Sequence, residues 1–289
     1  MAAMPSIADY QQRRVELAGS DSAALDIDLL LAEVLGRPRY YLYAHPGQLL
    51  TAAQRDRMEC LMARRRAGEP VAHLLGRAEF WGLALEVSAA TLIPRPDTEV
   101  LVEWLLERYP PDSECRLLDL GTGTGAIALA LASERPRWTV TGLDRVADAV
   151  ALARRNAVRL GLDRVRFVHG DWFAALADQC FDIIVSNPPY IEAQDPHLQR
   201  GDVRFEPRSA LVSGADGLDD IRLIVAAARG KLAPGGILLL EHGYRQASAV
   251  AGLLAASGYT DIALRHDYGA NPRATLARYE PPGFPEKEA

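Results

Sequence analysis

The residues best suited to chemistry stand together at positions 186–190, which read Ser-Asn-Pro-Pro-Tyr. They follow the apolar run 181–185, which is typical of a short buried strand. The two prolines make a stiff turn whose backbone carbonyls are free to accept hydrogen bonds. Asn187 adds a side-chain carbonyl, and Tyr190 adds a flat ring. Such a turn suits a planar NH₂ group whose two hydrogens are accepted by Asn187 and Pro188, although taken alone it is equally compatible with an ordinary exit from a strand.

A glycine-rich loop at 119–126 reads Asp-Leu-Gly-Thr-Gly-Thr-Gly-Ala and leads from a predicted strand into a predicted helix. Its glycines permit a tight turn and a close approach of a ligand to the backbone, and the helix N-terminus offers free amide protons. Gly121, Gly123 and Ala126 also satisfy the dinucleotide fingerprint, so the loop alone does not choose between NAD and S-adenosylmethionine. Asp144, at the end of the next predicted strand, is placed to accept hydrogen bonds from the ribose of either cofactor.

Two features favour S-adenosylmethionine over NAD. Asp119 puts an acid beside the loop, which suits a cationic methionine portion and is awkward beside a pyrophosphate. The turn at 187–190 ends a strand of the same sheet, and sheets of this type bind ligands at the carboxyl ends of their strands. After the third predicted strand, Asp171 and Trp172 are placed to contact an adenine ring; the alternative is an acid cap followed by a core tryptophan.

The elements that position these residues alternate between strand-like and helix-like segments from residue 116 onward, which predicts an α/β fold with a parallel sheet. The predicted strands are 116–120, 138–143, 165–169, 181–186 and 236–241, followed by a closing antiparallel pair at 260–265 and 274–279. The predicted helices are 125–134, 147–160, 217–232 and 246–257. Residues 191–217 form a long loop of weak periodicity directly after Tyr190, so we expect a lid or a binding loop there.

The chain ahead of this region predicts a small helical module without a catalytic constellation. Residues 23–35 show the spacing of an amphipathic helix, and residues 51–67 form a second candidate that Thr51 caps and Gly68 stops. The arginine triplet at 64–66 is expected to be a solvated helix end, where cations complement the helix dipole.

Between the two regions, residues 79–94 alternate around Gly82 and predict a β-hairpin. Residues 97–108 predict a helix that Asp97 or Thr98 caps. Arg95 lies between two prolines, and both a functional and a structural role are open for it.

The sequence therefore predicts four parts. They are an N-terminal helical, substrate-recruiting domain (1–76), a β-hairpin linker (77–96), a catalytic domain (97–280) and a tail (281–289).

Composition narrows the class of function. The net charge of −6 over 289 residues argues against broad charge-driven binding to nucleic acid or to an anionic membrane. The three cysteines are widely separated and form no zinc-ligand spacing with the histidines, which fits a reducing cytoplasm and predicts no metal. No apolar run approaches 18 residues, so we expect a cytoplasmic protein without a membrane partner.

The quoted residues resemble the motif series of class I methyltransferases that act on planar amino or amide nitrogen. Two further stretches, Leu-Ile-Pro-Arg-Pro-Asp-Thr-Glu at 92–99 and Gly-Asp-Val-Arg-Phe-Glu-Pro at 201–207, resemble the bacterial peptide chain release factor glutamine methyltransferases. The similarity runs from about residue 23 to residue 279. The one departure is Asp97, where glutamate is expected more often.

The resemblance implies methyl transfer from S-adenosyl-L-methionine to N5 of the glutamine in the Gly-Gly-Gln motif of release factors. It also implies a mostly parallel seven-stranded sheet of the class I methyltransferase type, joined to the helical domain by the hairpin. The implied cofactor contacts are Gly121, Thr122, Gly123, Thr124, Gly125, Asp144, Trp172 and Asn187. The implied substrate contacts are Asn187, Pro188, Pro189 and Tyr190, of which Asn187, Pro188 and Tyr190 are the predicted catalytic residues.

Several alternatives stay open on the sequence. A ribosomal-protein glutamine methyltransferase shares the Asn-Pro-Pro-Tyr turn but fits the stretch at 92–99 less well. A DNA or RNA amino-group methyltransferase would also act on a planar NH₂ group, that of a nucleobase. The chain is acidic, however, and has no basic recognition insert, so no specific nucleic-acid partner is expected. An NAD-dependent dehydrogenase leaves Asn-Pro-Pro-Tyr unexplained. A non-catalytic scaffold protein would need neither the glycine-rich loop nor the Asn-Pro-Pro-Tyr turn.

Overall fold

A computed structural model describes residues 4–176 and 179–281, and the chain divides into two compact units. The first unit is the chain up to Arg77 together with Pro196–Phe205. The second unit is Ala78–Asp195 together with the chain from Glu206 onward. The tail predicted at 281–289 lies outside the described residues except for its first residue.

The first unit is helical around its own core. Its helices are α1 (Ile7–Gln12), α2 (Ala23–Leu35), α3 (Arg39–Ala44), α4 (Ala52–Arg66) and α5 (Val71–Leu75). The two helices predicted here correspond to α2 and α4. Thr51 caps α4 as predicted, because its hydroxyl accepts from the Gln54 amide while the Gln54 side chain accepts from the Thr51 amide. Ile27, Leu30 and Met58 are fully buried in the core of this unit.

The prediction of a solvated arginine triplet is wrong for Arg65, which is only 7% exposed. Its Nε donates to Asp26 Oδ2 at 2.7 Å, and its Nη1 donates to Asp202 Oδ1 at 2.8 Å. Asp202 belongs to Pro196–Phe205, which forms two short 3₁₀ turns. The middle of the long loop predicted at 191–217 is therefore part of the helical unit, held there by a buried arginine on α4.

The second unit begins with a hairpin and continues as an α/β sheet. The strands of the hairpin are β1 (Arg77–Phe80) and β2 (Leu83–Glu86), which pair around Trp81 and Gly82. The strands of the sheet are β3 (Arg116–Leu120), β4 (Thr139–Asp144), β5 (Arg166–His169), β6 (Phe181–Ser186), β7 (Leu232–Glu241), β8 (Tyr259–His266) and β9 (Pro272–Tyr279). Within the described residues these seven strands form one sheet in the order β5-β4-β3-β6-β7-β9-β8.

Helices cover both faces of this sheet. They are α6 (Glu99–Arg108), α7 (Ala126–Glu134), α8 (Ala147–Arg159), α9 (Asp219–Ala228) and α10 (Ala247–Ala256). Successive side chains of a strand point to opposite faces, so in β3 Leu117 packs in the core with α6, α7 and α8, and Leu118 packs in the core with α9 and α10. Burial on both faces explains why the parallel strands read as nearly continuous apolar runs.

The sheet reverses its strand order next to β3. β4 pairs with β3 on one side and β6 pairs with it on the other, both in parallel, so that Leu120 lies opposite Ser186. The connections after β3 and β6 consequently leave from neighbouring strand ends and in opposite directions, which opens a crevice at this edge. The predicted class I methyltransferase fold, with antiparallel β9 between β7 and β8, is confirmed.

One local difference from the predicted elements concerns the hairpin, which was predicted over 79–94 but ends with β2 at Glu86. β7 begins at Leu232, four residues before the predicted strand, and α9 is limited to Asp219–Ala228. In the described chain, no helix is long and apolar enough to cross a membrane.

Candidate active site

The glycine-rich loop joins β3 to α7 through three glycines in the left-handed region, with φ of 71° at Gly121, 55° at Gly123 and 84° at Gly125. The amides of Gly121 and Thr122 donate to the Leu143 carbonyl of the neighbouring strand, which fixes the loop to the sheet. Gly125 differs from the other two glycines because it does not line the cavity described below. A Cβ at Gly125 would lie 3.1 Å from atoms of Leu129 and Phe167, so this glycine allows close helix packing.

Asp119 holds the loop against the first turn of α7. Its Oδ2 accepts from Thr122 Oγ1 at 2.6 Å and from the Ala128 amide at 3.2 Å. Burial raises the pKa of this carboxyl group to about 7, these two hydrogen bonds oppose the rise, and the charge of Asp144 adds to it. The sequence predicted a role towards a cationic ligand, but Asp119 is not one of the residues that line the cavity described below. The contacts it makes support the loop, and sequence spacing did not reveal this positioning role.

Asp144 ends β4 and lines the cavity. Its Oδ2 accepts from the Gly123 amide at 2.9 Å, and its Oδ1 accepts from the Val146 amide at 2.8 Å. Each carboxylate oxygen accepts more than one hydrogen bond, so Asp144 can fix the loop and still accept from ligand hydroxyls.

One cavity brings most of the predicted site residues together within the second unit. Among the predicted residues, those that line it are Gly121, Thr122, Gly123, Thr124, Asp144, Trp172, Asn187 and Pro189. The turn and the glycine-rich loop, far apart in sequence, therefore face one ligand space.

Trp172 lines this cavity from the turn after β5, with a positive φ of 43°. Such a conformation is uncommon for a bulky residue. Asp171 is exposed and is not one of the residues that line the cavity. The structure thus places the tryptophan, rather than the acid before it, at the ligand space.

The turn after β6 presents Asn187 and Pro189 to the cavity, while Pro188 and Tyr190 lie beside it without lining it. Asn187 Nδ2 donates to Thr98 Oγ1 at 3.0 Å. The Tyr190 hydroxyl donates to Glu241 Oε1 at 3.1 Å, and its carbonyl accepts from Gln246. Burial, followed by the charge of Glu241, raises the pKa of Tyr190, so this phenol stays protonated.

The stretch at 92–99 supplies residues whose place was not predicted. Leu92, Pro94, Arg95 and Thr98 of this stretch line the cavity, as does Thr91 directly before it. Thr98 precedes α6 but makes no side-chain cap, because its hydroxyl is turned towards Asn187. Apart from Thr98, which ends the 3₁₀ turn Pro96–Thr98, these residues come from irregular backbone, where no periodicity marks which side chain faces a ligand.

Arg95 forms an ion pair with Glu206, whose other oxygen accepts from the Ile93 amide at 2.8 Å. The two stretches that carry the family-specific resemblance therefore meet at this ion pair. The two residues are 111 positions apart in the chain, so the sequence around either of them does not predict this ion pair.

The residues present fit a nucleoside cofactor. A Cβ built on Gly121 would meet no atom within 4 Å, so the backbone there is open to a ligand. Thr91 lines the same cavity as Asp144, and its Oγ1 is buried and makes no hydrogen bond in the described protein. Among the described residues, no group of three or more His, Cys, Asp or Glu is arranged to hold a metal ion.

Comparison with known proteins gives two family matches. Residues 111–255 match a family described as methyltransferase domain, and residues 9–76 match the PrmC N-terminal domain. Among solved structures, a methyltransferase from Pyrococcus furiosus superposes with a TM-score of 0.53 at 20% identity, over 75% of this chain and 97% of that one. This likeness supports the fold alone.

Sequence relatives are much closer. The release factor glutamine methyltransferase of Salmonella typhimurium is 55% identical over 92% of this chain and 96% of its own length. The proteins of the same name from Escherichia coli and Pseudomonas aeruginosa are 53% and 55% identical, each over 91% of this chain and 95% of their own. With this identity over nearly the whole length, the chain belongs to the release factor glutamine methyltransferase family.

Proposed function

We propose that this protein transfers a methyl group from S-adenosyl-L-methionine to the side-chain amide nitrogen, N5, of the glutamine in the Gly-Gly-Gln motif of peptide chain release factors. One observation carries the proposal. Asn187 shares a cavity with the glycine-rich loop and Asp144, and its NH₂ group is held by Thr98. The carbonyl end of Asn187 is therefore available to accept from an incoming NH₂ group.

The cofactor is held by the loop at 121–125, Asp144 and Trp172. The loop offers backbone groups, Asp144 accepts from ribose hydroxyls, and Trp172 supplies apolar contact to the base. The bound sulfonium supplies a methyl group that is already activated, so the reaction needs no strong general base from the protein.

The protein's task is to align a poor nucleophile. The lone pair of an amide nitrogen is delocalised into its carbonyl, as in the peptide bond. The Asn187 side-chain oxygen and the Pro188 backbone carbonyl accept the two amide hydrogens, and Tyr190 contacts the amide plane once the glutamine is seated beside Pro189. Positioning of two bound reactants is worth about 7 kcal/mol or more of the barrier.

The remaining assignments belong to the same proposal. The helical domain at 1–76 recruits the release factor, the hairpin at 77–96 links it to the methyltransferase domain at 97–280, and the reaction takes place in the cytoplasm. The substrate is a protein, and no specific nucleic acid or membrane partner takes part. The match of residues 9–76 to an N-terminal domain model supports the first of these assignments.

The proposal is tested by incubating the purified protein with methyl-labelled S-adenosyl-L-methionine and separate candidate acceptors. The panel contains a release factor, the same factor with its motif glutamine changed to alanine, total ribosomal protein, DNA and tRNA. We expect label on the native release factor alone, located on the motif glutamine by mass spectrometry. Label on ribosomal protein alone would identify the related glutamine methyltransferase activity instead, and label confined to nucleic acid would refute protein methylation.

A further inference from the structure

Arg95 lines the cavity and is held in place by the carboxylate of Glu206. One Glu206 oxygen accepts from Arg95 Nη2, and the other accepts from the Ile93 amide at 2.8 Å. The Glu206 side chain is fully buried, and prolines on both sides of Arg95 restrict its backbone. The position of this arginine is therefore set by the protein before a ligand binds.

The ion pair leaves most of the Arg95 guanidinium able to bind a ligand. A guanidinium carries several N–H groups in a planar fork, whose geometry matches that of a carboxylate. In the described chain, the Arg95 side chain makes no hydrogen bond other than the one to Glu206. This side chain is 33% exposed, so its other N–H groups are not enclosed by protein. The arginine thus offers a preformed anion site on the wall of the cavity.

Few charges line this cavity. Among the described residues that line it, only Arg95, Asp144 and Arg145 are charged. S-adenosyl-L-methionine carries a carboxylate on its methionine portion, and a carboxylate that leaves water needs a charged or hydrogen-bonding partner. Asp119, the acid predicted to face the methionine portion, does not line the cavity. The two arginines are therefore the candidate cations for the ligand carboxylate.

Their positions in the site separate the two arginines. Arg145 directly follows Asp144, the proposed ribose contact. Arg95 lies on the acceptor side, because its carbonyl accepts from the Thr98 amide at 3.1 Å and the Thr98 hydroxyl accepts from Asn187. The methionine chain leaves the same sulfur atom as the methyl group, and the methyl group has to point to the acceptor beside Asn187. The methionine end of the ligand is therefore expected nearer to Arg95.

A second polar group of the same segment supports this placement. Thr91 lines the cavity, and its Oγ1 is buried without a hydrogen bond in the part of the chain that the structure describes. A Cβ built on Gly123 would lie 3.9 Å from the Thr91 Cβ, so this threonine stands beside the glycine-rich loop. A buried hydroxyl without a partner is unfavourable. The charged groups of a bound methionine portion would supply that partner.

We propose that Arg95 binds the carboxylate of the methionine portion of S-adenosyl-L-methionine through the N–H groups that do not contact Glu206. The inference rests on the proposed function, because the ligand is the methyl donor of that function. It adds a cofactor contact to those of the glycine-rich loop, Asp144 and Trp172. Arg95 acts on the affinity for the cofactor, since the carboxylate takes no part in methyl transfer.

Two ligands that differ only in the carboxylate test this contact. Decarboxylated S-adenosylmethionine keeps the adenosine, the sulfonium and the amine of the cofactor. Isothermal titration calorimetry measures the Kd of each ligand for the wild type and for Arg95→Met, which removes the charge and keeps an apolar side chain. The four Kd values isolate the contact between the arginine and the carboxylate, as in a double-mutant cycle.

For the wild type, we expect the decarboxylated ligand to bind about 10- to 100-fold more weakly than S-adenosyl-L-methionine, as for the loss of hydrogen bonds between charged groups. In Arg95→Met, the Kd of S-adenosyl-L-methionine should rise by a similar factor. The Kd of the decarboxylated ligand should change by less than about threefold, because the partner of Arg95 is already missing. Arg95→Lys should recover part of the loss, since it keeps the charge without the fork.

Three further variants serve as controls. Arg145→Met removes the other cation of the cavity, and any change in Kd should be equal for the two ligands. Arg137 is exposed and pairs with Glu114 outside the cavity, so Arg137→Met should bind both ligands as the wild type does. Arg95→Met leaves the buried Glu206 without the Arg95 charge. The double variant Arg95→Met/Glu206→Gln removes that acid as well, and its Kd ratio decides if the single variant does not fold.

An unchanged Kd of S-adenosyl-L-methionine in Arg95→Met would overturn the inference. So would equal losses for the two ligands, which would mean that Arg95 only supports the shape of the cavity. A raised KM for a release factor with an unaltered cofactor Kd would also overturn it, by placing Arg95 on the substrate. The titrations contain no acceptor protein. A protein that shows the expected Kd ratio but methylates no release factor would therefore refute the proposed function and leave this inference standing.

Discussion

Individual acidic side chains in this protein fix the conformation of the backbone that lines the cavity. Asp144 is the clearest case, because each of its carboxylate oxygens already accepts from a backbone amide, those of Gly123 and Val146. A sequence pattern suggests such an acid as a ribose contact only. In the structure the same carboxylate also holds the loop in shape. Replacing Asp144 therefore removes a ribose contact and also removes a support of the loop, and both changes weaken cofactor binding.

We therefore expect Asp144→Ala to weaken binding of S-adenosyl-L-methionine about 10- to 100-fold, which corresponds to the loss of hydrogen bonds to a charged group. Isothermal titration calorimetry measures this directly. Asp163→Ala, an exposed acid outside the cavity, is the control and should bind as the wild type does. An unaltered Kd in Asp144→Ala would show that the loop, rather than this acid, accounts for cofactor affinity.

Asn187 lies on the acceptor side of the same cavity, so its loss should act differently. We expect Asn187→Ala to reduce turnover of a release factor by at least about 100-fold, since it removes a hydrogen-bond acceptor that positions the nucleophile. Cofactor affinity should fall much less. Asn271→Ala, at an exposed asparagine, provides the matched control. Turnover and affinity are measured on the same preparations, and normal turnover in Asn187→Ala would contradict the proposed role.

Neighbouring residues of one helix can have opposite environments. In α4, Arg65 is buried between Asp26 and Asp202, while Arg66 pairs with Glu16 at the surface. The local sequence of three arginines gives no sign of this difference. It arises because Asp202 lies 137 positions away and is brought to the helix only by the fold.

This contrast gives a stability prediction with its control one residue away. Arg65→Ala leaves Asp26 buried without its cation, and we expect a cost of about 3–5 kcal/mol in the free energy of unfolding. Arg66→Ala breaks a surface ion pair and should cost less than about 1 kcal/mol. Urea denaturation followed by circular dichroism of both variants measures the difference. Equal costs would mean that the buried ion pair does not stabilise the helical unit.

The elements of this fold that could be predicted are those whose pattern lies within a short stretch of sequence. β3 and β6 were predicted to the residue because burial on both faces makes each an apolar run, and α2 was predicted because its buried stripe is regular. The glycine-rich loop and Asn187 were predicted because their residue types are unusual. Thr98 and Glu241 were not assigned to the site, since their contacts depend on which strands and turns become neighbours in space.

The contribution of Asp119 to the stability of the folded protein should decrease as the pH rises from about 4 to 7. Burial raises the pKa of Asp119 in the folded state to about 7, well above the ordinary value of 3.8 for an aspartate side chain. Between these pH values the folded state binds more protons than the unfolded state, so the free energy of unfolding decreases as the pH rises. The stabilisation from Asp119 is fully present below its unfolded pKa and is lost as the pH passes through 7.

The measurement is the free energy of unfolding of the cofactor-free protein at several pH values, compared with that of Asp119→Asn. We expect the wild type to lose about 4 kcal/mol relative to the variant between pH 4 and pH 8, given about 1.4 kcal/mol for each pKa unit. Asp163→Asn, at an exposed position, should follow the wild type. Parallel curves for the wild type and Asp119→Asn would show that this carboxyl group titrates normally.

The placement of Pro196–Phe205 in the helical unit has a consequence for how this protein can be divided or recombined. The helical unit is not a contiguous piece of the chain, so a cut at Arg77 separates two segments that belong to the same unit. A fragment without residues 1–77 would retain Asp202 but lack Arg65, and a fragment ending at Arg77 would retain Arg65 but lack Asp202. Exchange of the helical unit between relatives therefore has to carry both segments together, and the two segments are expected to change in concert during evolution.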